Sequence, residues 1–423
     1  MLVVNEIKNN TEAIIERLNI RGVDAKGLVD QVLKLDEKRR AIQQESDAAA
    51  AEMNSISKDI GELFKQGKQE EANAAKAKTT ELKERASELS AHLSKAEKAL
   101  TNLLYTIPNT PNLSVPVGNS EADNIVLKEQ ASIPTFGDDA LAHWDLANKY
   151  NIFDLELGVK ITGAGFPVFR GKGAKLQRAL IQFFLDEGVK AGYEEIVPPL
   201  MINEASGLGT GSLPDKEGQM YHITADDFYM IPTAEVPITN IYRDVILNEA
   251  DFPIKMCGYS PCWRREAGSY GKDVRGLNRL HQFDKVEIVQ IAHPEKSYEQ
   301  FKEMVDYVES LIHKLELPYR ILQLCGGDLT FASALTYDFE VYSGAQKRWL
   351  EVSSVSNFET FQANRMKCRY KDANKKKHLA HTLNGSAIAL PRIIAALLEN
   401  NQSEDGIIIP EALVPYTGFA VLD

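Results

Sequence analysis

The sequence predicts an α+β protein with an N-terminal antiparallel two-helix coiled coil and a C-terminal globular body. Residues 27–104 contain no proline and repeat apolar residues in alternating steps of four and three, which is typical of paired helices. Residues 106–135 contain four prolines among several Asn and Ser residues, as expected of a linker. Residues 136–423 mix strand-like and helix-like runs. We therefore expect an N-terminal domain over residues 1–105, a linker and a C-terminal domain.

The overall composition excludes several classes of protein. The chain has 423 residues and a formal net charge of −12, which leaves only a local basic surface for any contact with nucleic acid. Its four cysteines show no paired CxxC spacing, so we expect free thiols in the cytoplasm, without disulfides or zinc. No apolar run reaches about 18 residues, which predicts neither a membrane span nor a signal peptide.

The N-terminal helices form the longest regular pattern in the sequence. The apolar repeat stops and resumes around residues 65–70, so we expect a turn there between two helices of about 50 Å each. A seam this narrow cannot enclose a globular core, which predicts an arm that projects. A dimerisation coiled coil is the alternative, because thirteen basic and fourteen acidic residues in 27–104 leave no excess of positive charge. Only a basic stripe would bind nucleic acid, for instance Lys76, Lys83, Arg85 and Lys95.

The most informative stretch is 259–289, YSPCWRREAGSYGKDVRGLNRLHQFDKVEIV, which predicts a strand, a cationic loop and a second strand. Arg264 and Glu266 end the first strand, and the glycine-rich loop carries Lys272 and Arg275. Five residues alternate along the second strand and would share one face: Arg279, His281, Phe283, Lys285 and Glu287. A guanidinium fork, an aromatic ring and a carboxylate on one face suit a nucleotide and a small amine. A surface hairpin with solvated charges is the alternative.

Two further segments precede this hairpin. A strand within residues 190–201 contains paired prolines, so it should lie at a sheet edge and offer a dimer surface, although an ordinary edge is the alternative. Residues 231–236 are expected to form a short extended segment with Thr233 and Glu235 on one face.

Two segments after the hairpin carry candidate ligands. In the strand LEVSSV, Glu351 and Ser353 share a face by simple alternation, and Ser354 joins Glu351 only through a local bend. A carboxylate beside a hydroxyl oxygen suits Mg²⁺ with bound phosphates. Arg392 follows Pro391 in the first turn of an apolar helix, where the helix dipole and the side chain both favour an anion.

Together these segments resemble class II aminoacyl-tRNA synthetases, and within them the bacterial-type seryl-tRNA synthetase family, over essentially the whole chain. The stretch 192–200 resembles motif 1, the dimer-interface strand. Residues 264–266 with 279–283 resemble motif 2, and residues 384–386 with Arg392 resemble motif 3. The resemblance implies a six-stranded antiparallel sheet flanked by helices. It also implies activation of L-serine with ATP to seryl-adenylate, and transfer of the seryl group to the 3′ end of tRNA-Ser and of tRNA-Sec.

The resemblance implies specific ligand roles for residues at the motif positions. Arg264 would hold the α-phosphate and the serine carboxylate, and Arg392 the γ-phosphate. Phe283 would stack on the adenine, with Glu266 on the adenine side. The implied catalytic residues are Arg264, Glu266 and Arg392. The implied ATP ligands are Arg264, Arg265, Glu266, Leu280, Phe283, Glu351, Val352, Ser353, Ser354 and Arg392. The implied serine ligands are Thr233, Glu235, Arg264, Glu287, Asn384 and Ser386, and the implied Mg²⁺ ligands are Glu351 and Ser354.

The resemblance implies three macromolecular contacts. The helical hairpin would bind the long variable arm of tRNA-Ser, and two copies would form a homodimer through the strand within 190–201. Lys272 and Arg275 would lie on a mobile loop that contacts ATP first and the tRNA acceptor stem later.

Three alternatives to this function are open at the level of sequence. A serine-activating relative that loads a carrier protein is expected to lack the long arm. A non-catalytic tRNA-binding paralogue would require the loss of a ligand, and five are present: Arg264, Glu266, Glu287, Glu351 and Arg392. A threonyl or prolyl enzyme is expected to carry a C-terminal anticodon domain, whereas this sequence ends soon after the motif 3 helix.

Overall fold

The computed structural model describes residues 1–130, 133, 140–267 and 275–423. The chain forms two compact units, and each is treated separately below. The arm unit comprises Leu2–Asn19 and Val23–Pro108, and the body unit comprises Met1, Ile20–Gly22 and Asn109–Asp423. Within the described residues no helix is long and apolar enough to cross a membrane.

The arm unit consists of helices α1 (Val4–Asn9), α2 (Thr11–Asn19), α3 (Ala25–Lys65) and α4 (Gln69–Thr106). α3 and α4 pack together as the predicted antiparallel hairpin, and Gly67 in the turn has a φ of +75° that favours glycine. The 41 residues of α3 extend about 60 Å. A salt bridge of 2.8 Å between Lys78 and Glu52 joins the two helices. Seven predicted seam residues are buried: Val32, Ala49, Ala72, Leu82, Leu89, Ala96 and Leu100.

The body unit carries all the described strands. In chain order they are β1 (Ile125–Glu129), β2 (Phe153–Asp154), β3 (Val168–Phe169), β4 (Glu194–Glu195), β5 (Met201–Ile202), β6 (His222–Ile223), β7 (Phe228–Met230), β8 (Ile246–Asn248), β9 (Ile254–Trp263), β10 (Gln282–Ala292), β11 (Tyr319–Gln323), β12 (Leu335–Ser343), β13 (Arg348–Asn357), β14 (Arg369–Lys371), β15 (Lys377–Leu379), β16 (His381–Ala389), β17 (Gln402–Ser403), β18 (Gly406–Ile408) and β19 (Val421–Leu422).

The central sheet of the body unit has the strand order β1-β11-β12-β13-β16-β10-β9-β4. The six strands from β11 to β9 are antiparallel, in line with the fold that the resemblance implies. The expected total of six is too small, because β1 adds an antiparallel strand at one edge and the two-residue β4 adds a parallel strand at the other. β4 therefore lies at a sheet edge, as the paired prolines that follow it predict.

The body unit also contains helices, and some of them pack on this sheet. The helices are α5 (His143–Tyr150), α6 (Leu155–Ile161), α7 (Gly171–Lys190), α8 (Glu204–Thr210), α9 (Glu235–Asn240), α10 (Ser297–Lys314), α11 (Phe361–Met366), α12 (Leu390–Asn400) and α13 (Val414–Thr417). α7, α10 and α12 pack on the sheet around a core that includes Phe183, Phe184, Tyr319 and Phe339. The apolar helix that begins beside Pro391 is α12, as predicted.

Two local expectations are wrong. Residues 231–236 are not extended throughout, because Glu235 begins α9 and its N–H donates to the Thr233 hydroxyl at 3.2 Å. This hydroxyl satisfies a backbone donor at the start of the helix, which favours a turn over an extended chain. The returning strand of the hairpin begins at Gln282, so Arg279 and His281 precede it.

Candidate active site

The predicted hairpin of the body unit consists of β9 and β10, which pair in antiparallel register. Phe283, Lys285 and Glu287 alternate along β10 and therefore share one face. Arg264 follows β9 directly, and its N–H donates to the carbonyl of His281 at 3.0 Å. The Arg264 guanidinium lies 5.2 Å from the centre of the Phe283 ring, within the range of a cation–π contact. The hairpin thus presents a cation and an aromatic ring together.

Glu266 turns the chain at the end of the first hairpin strand. Its φ of +50° lies in the left-handed region, which costs a non-glycine residue about 1–3 kcal/mol. Its carboxylate accepts a hydrogen bond of 3.1 Å from Arg279, which lies on the far side of the loop. This ion pair joins the two ends of the hairpin loop and holds the Glu266 carboxylate at the cleft described below.

Arg392 lies in the first turn of α12, as predicted from Pro391. Its NH1 atom donates to the carbonyl of Glu351 at 2.6 Å, and its Nε donates to the carbonyl of Asn278 at 3.2 Å. The carboxylate of Glu351 is 3.7 Å from the same guanidinium. These contacts orient a second cation toward the region that Arg264 faces.

The two arginines line one cleft of about 770 Å³, including its open mouth. A cleft of this size with convergent charged groups is typical of a small-molecule site. Its lining residues are Arg264, Glu266, Leu277, Asn278, Arg279, Leu280, Phe283, Lys285, Glu351, Val352, Ser353, Ser386, Ala389, Pro391 and Arg392.

A bulge between β12 and β13 brings oxygen ligands together. Asp338 opposes Ser354 and Glu340 opposes Glu351, so β13 has one extra residue between these pairs. Opposed residues share a face, and the bulge therefore brings Ser354 onto the face of Glu351 and takes Ser353 off it. The local bend is therefore present, although Ser353 lines the cleft together with Glu351 and Ser354 is outside the cleft lining. Burial, followed by the charge of Glu351, holds the pKa of Asp338 well above its usual range.

Two carboxylates lie close together here: Glu287 is buried on the same face of β10, and Glu235 is half-buried at the start of α9. Three donors surround Glu287: Thr233 Oγ1 at 2.9 Å, Asn384 Nδ2 at 3.3 Å and Lys285 Nζ at 2.5 Å. Glu235 accepts a hydrogen bond of 2.7 Å from Gln362 Nε2. Burial, followed by the charge of Glu287, raises the pKa of Glu235 to about 7. We call the group of residues around Glu287 and Glu235 the carboxylate pocket. In it the Glu287 carboxylate lies beside the Lys285 ammonium group, and the Glu235 carboxylate is hydrogen-bonded to the Gln362 amide.

Most of the predicted ligands lie in the cleft or in this carboxylate pocket. Those in the cleft are Arg264, Glu266, Leu280, Phe283, Glu351, Val352, Ser353, Ser386 and Arg392. Those in the carboxylate pocket are Thr233, Glu235, Glu287 and Asn384. Arg265 is outside the cleft lining, and its N–H donates to the carbonyl of Gln219 at 2.9 Å. Arg275 packs on the Trp144 ring at 4.5 Å, and Lys272 lies outside the described residues.

Sequence reasoning missed four residues that shape the site. The strand period places Lys285 on the face of Phe283 and Glu287 but assigns no ligand role to it. Asn278, Asp338 and Gln362 carry no local signal, because each reaches the site through the tertiary fold. Within the described ranges, no three His, Cys, Asp or Glu side chains are arranged to hold a metal by themselves.

An antiparallel sheet whose hairpin and a following apolar helix, here α12, each supply an arginine to one cleft is the arrangement of a class II aminoacyl-tRNA synthetase. The family model for the tRNA synthetase class II core domain (G, H, P, S and T) matches residues 221–401, and the model for the seryl-tRNA synthetase N-terminal domain matches residues 1–111. The chain is 51% identical to a serine–tRNA ligase of Salinibacter ruber and 47% identical to that of Akkermansia muciniphila, each covering 99% of this chain and 98% or more of the relative. The chain belongs to the seryl-tRNA synthetase family.

A solved structure gives the same result. The seryl-tRNA synthetase of Pyrococcus horikoshii, complexed with ATP, superposes with a TM-score of 0.91 at 34% identity and covers 100% of this chain and 99% of that one. A prolyl-tRNA synthetase of Giardia lamblia, at 16% identity and a TM-score of 0.57, covers 64% of this chain and shares the fold alone. The chain is therefore more similar overall to the seryl enzyme of Pyrococcus horikoshii than to this prolyl enzyme.

Proposed function

We propose that the chain activates L-serine with ATP in the described cleft and transfers the seryl group to tRNA-Ser. The observation that carries this proposal is the single face of β10, which runs from a nucleotide-type site to a carboxylate pocket. Phe283 and Glu287 are four residues apart, or about 13 Å along the strand. An adenine on Phe283 and an ammonium at Glu287 would leave the α-phosphate and the serine carboxylate between them, beside Arg264.

Adenylate formation needs positioning and charge neutralisation more than acid–base chemistry. The serine carboxylate attacks the α-phosphorus in line, and pyrophosphate leaves on the opposite side. Arg264 would neutralise the α-phosphate, and Arg392 would hold the departing end of the triphosphate. Fixed cations in a partly dehydrated cleft stabilise developing charge without reorganising, which is usually the largest catalytic contribution. The contacts of Arg392 to two backbone carbonyls supply this rigidity.

Selection of serine would depend on the carboxylate pocket. The carboxylates of Glu287 and Glu235 and the hydroxyl of Thr233 can accept hydrogen bonds from an ammonium group and a hydroxyl. Alanine lacks the hydroxyl and would leave a buried acceptor without its partner, which costs about 1–3 kcal/mol. Threonine would be excluded by its extra methyl group. Glu235 and Glu287 are both acceptors, so each can bind either the ammonium group or the hydroxyl.

The oxygen ligands on β13 fit Mg²⁺. Glu351 and Ser354 share a face, and carboxylate and hydroxyl oxygens are hard ligands of the kind that Mg²⁺ prefers. Asp338 lies beside them, and burial, followed by the charge of Glu351, raises its pKa. We propose that Glu351 and Ser354 hold the ion together with phosphate oxygens. When bound, Mg²⁺ would neutralise charge on the triphosphate.

Contacts with tRNA and with a second copy belong to the same proposal. The helical hairpin α3–α4 would bind the long variable arm of tRNA-Ser. The predicted N-terminal domain, residues 1–105, would then be the tRNA-binding domain, joined by the linker 106–135 to the catalytic domain 136–423.

A homodimer would form at the β4 edge, where Val197 is 89% exposed and the apolar side chains of Leu200 and Met201 are also exposed. The body unit would thus end in an apolar edge that a second copy covers. A cytoplasmic location and the charging of tRNA-Sec stay predictions of the sequence.

The test is ATP–pyrophosphate exchange measured across amino acids, followed by aminoacylation of tRNA-Ser. We expect exchange with serine, and at least about 100-fold lower kcat/KM with alanine and threonine. Exchange with another amino acid would contradict the serine assignment. Exchange without tRNA charging would favour an enzyme that loads a carrier protein, and no exchange with any amino acid would favour a non-catalytic paralogue.

A further inference from the structure

A fully buried histidine–glutamate pair lies behind the candidate ATP cleft. His143 begins α5 and Glu399 lies in the last turn of α12, and both side chains are 0% exposed. The ring atom Nδ1 of His143 is 2.7 Å from Glu399 Oε1, and the backbone N–H of His143 donates to the same oxygen at 3.0 Å. None of the catalytic steps proposed above uses either residue. Burial of a charged carboxylate is energetically costly unless hydrogen bonds and opposite charges satisfy it.

The hydrogen bonds define the tautomer of His143. The backbone N–H of Leu277 donates to His143 Nε2 at 2.9 Å, so Nε2 carries no proton and acts as the acceptor. Nδ1 must then carry the proton and donate to Glu399. Burial alone would raise the pKa of Glu399, but hydrogen bonds from His143 and Ser343 outweigh burial, and the net pKa is lowered. An ionised Glu399 thus fixes which nitrogen of His143 faces Leu277.

The segment that His143 holds is part of the cleft. Leu277, Asn278, Arg279 and Leu280 all line the cleft on its nucleotide side. Gly276 has a φ of +69°, and a Cβ built there would lie 2.1 Å from His143 Nε2. The chain therefore passes so close to the imidazole that only glycine fits, and the Leu277 N–H is aimed at the ring.

A second branch of the network reaches Arg392. Gln346 Nε2 donates to Glu399 at 3.1 Å, and Gln346 Oε1 accepts from Asn278 Nδ2 at 3.0 Å. The carbonyl of Asn278 in turn accepts from Arg392 Nε at 3.2 Å. Arg392 and Glu399 are seven residues apart on α12, which is two helical turns, so they project from one side of the helix. Both ends of α12 thus hold the same segment of the cleft wall.

We propose that His143, held as its Nδ1–H tautomer by Glu399, is a positioning residue that sets the ATP-binding wall Leu277–Leu280 and, through Asn278, the orientation of Arg392. This inference rests on the proposed use of the cleft for ATP. His143 does not touch ATP and acts only through Leu277. The residue type matters, because the site needs a buried group that donates on one side and accepts on the other.

The test compares His143→Asn with His143→Gln in the full-length chain. Asparagine places a donor near Glu399 but leaves the Leu277 N–H without an acceptor, whereas the longer glutamine amide offers an acceptor to Leu277. For His143→Asn we expect the dissociation constant and the KM of ATP to rise by about tenfold, as for one lost buried hydrogen bond, with the KM of serine unchanged. For His143→Gln we expect both ATP constants within about threefold of the wild type.

Calorimetric titration with ATP, exchange kinetics and thermal unfolding are measured on the same three proteins. Equal ATP constants in the wild type and His143→Asn would overturn the proposal, as would equal defects in the two variants. Because ATP binding is measured directly, these results hold even if serine-dependent exchange is absent, an outcome that would contradict the proposed function instead.

A second variant approaches the same contact from the loop, in case His143→Asn does not fold. Gly276→Ala would place a Cβ against His143 Nε2 and displace Leu277. We expect the same rise in the ATP constants with an unchanged KM of serine. Normal ATP binding by a folded Gly276→Ala protein would also overturn the proposal.

Discussion

Replacing Glu235 with glutamine should stabilise the protein at neutral and alkaline pH, and this gain should disappear in acid. The carboxyl is buried, and its pKa is raised from 4.5 to about 7 by burial and by Glu287. The folded state therefore binds more protons than the unfolded state between these values, and stability falls as the pH rises from about 4.5 to 7. The difference between these two pKa values corresponds to about 3 kcal/mol lost from wild-type stability above pH 7. Glutamine avoids this loss and still accepts from Gln362.

Unfolding of the ligand-free wild type and Glu235→Gln should be followed from pH 4.5 to pH 8.5. The expected difference in unfolding free energy grows with pH and levels off above pH 7, at about 3 kcal/mol. Glu204→Gln is the matched control, because Glu204 is an exposed carboxyl in the first turn of α8. A difference that is independent of pH, or a wild type that is more stable than the variant at pH 8, would refute the assigned burial and charge of Glu235.

Three further predictions concern the proposed activity. Arg264→Ala should lower serine-dependent ATP–pyrophosphate exchange by about 100-fold or more, because it removes a fixed cation at the reacting phosphate. The control variant Arg178→Ala, on the exposed side of α7, should leave the exchange rate unchanged. Near-normal exchange by Arg264→Ala would contradict the role of Arg264. Deletion of residues 30–100 should leave serine-dependent exchange intact and abolish tRNA charging, because every residue that lines the cleft belongs to the body unit. Normal charging by this deletion variant would show that the arm has only a structural role. Glu351→Gln should raise the Mg²⁺ concentration for half-maximal exchange by about tenfold or more, and an unchanged requirement would exclude Glu351 as a ligand.

The parts of the fold that follow from sequence are those with a strong period. The α3–α4 seam, the apolar α12 and the β9–β10 hairpin each repeat over many residues, so hydrophobic period and loop composition identify them. The edge strand β1 was missed as a member of the sheet, because it lies within the segment 106–135 whose composition predicts a linker. Residues 231–236 were read as extended because one hydroxyl, that of Thr233, decides the turn, and a single side-chain contact has no period.

Some residues of the candidate site could likewise be predicted from the sequence, and others could not. Phe283 and Glu287 lie on one strand, so local alternation assigns them to one face, whereas Arg264 reaches Phe283 through the pairing of β9 with β10. Asp338 and Gln362 come from other elements and meet the site only in the folded chain. Ser354 required a bulge, and the alternation of apolar and polar residues does not reveal one extra residue in a strand. Buried pairs such as His143 and Glu399 are invisible for another reason, since 256 residues separate them in the chain.

The distribution of charge along β10 explains why serine would bind in one orientation. An amino acid is a zwitterion, and the face offers Arg264 at one end and the carboxylates of Glu287 and Glu235 at the other. Reversed binding would set the serine carboxylate against these carboxylates. Such a like-charge contact disfavours the reversed orientation. The orientation that this field favours directs the serine carboxylate toward Arg264, where the α-phosphate would lie. The carboxylate pocket would therefore select the substrate and also aim its nucleophile.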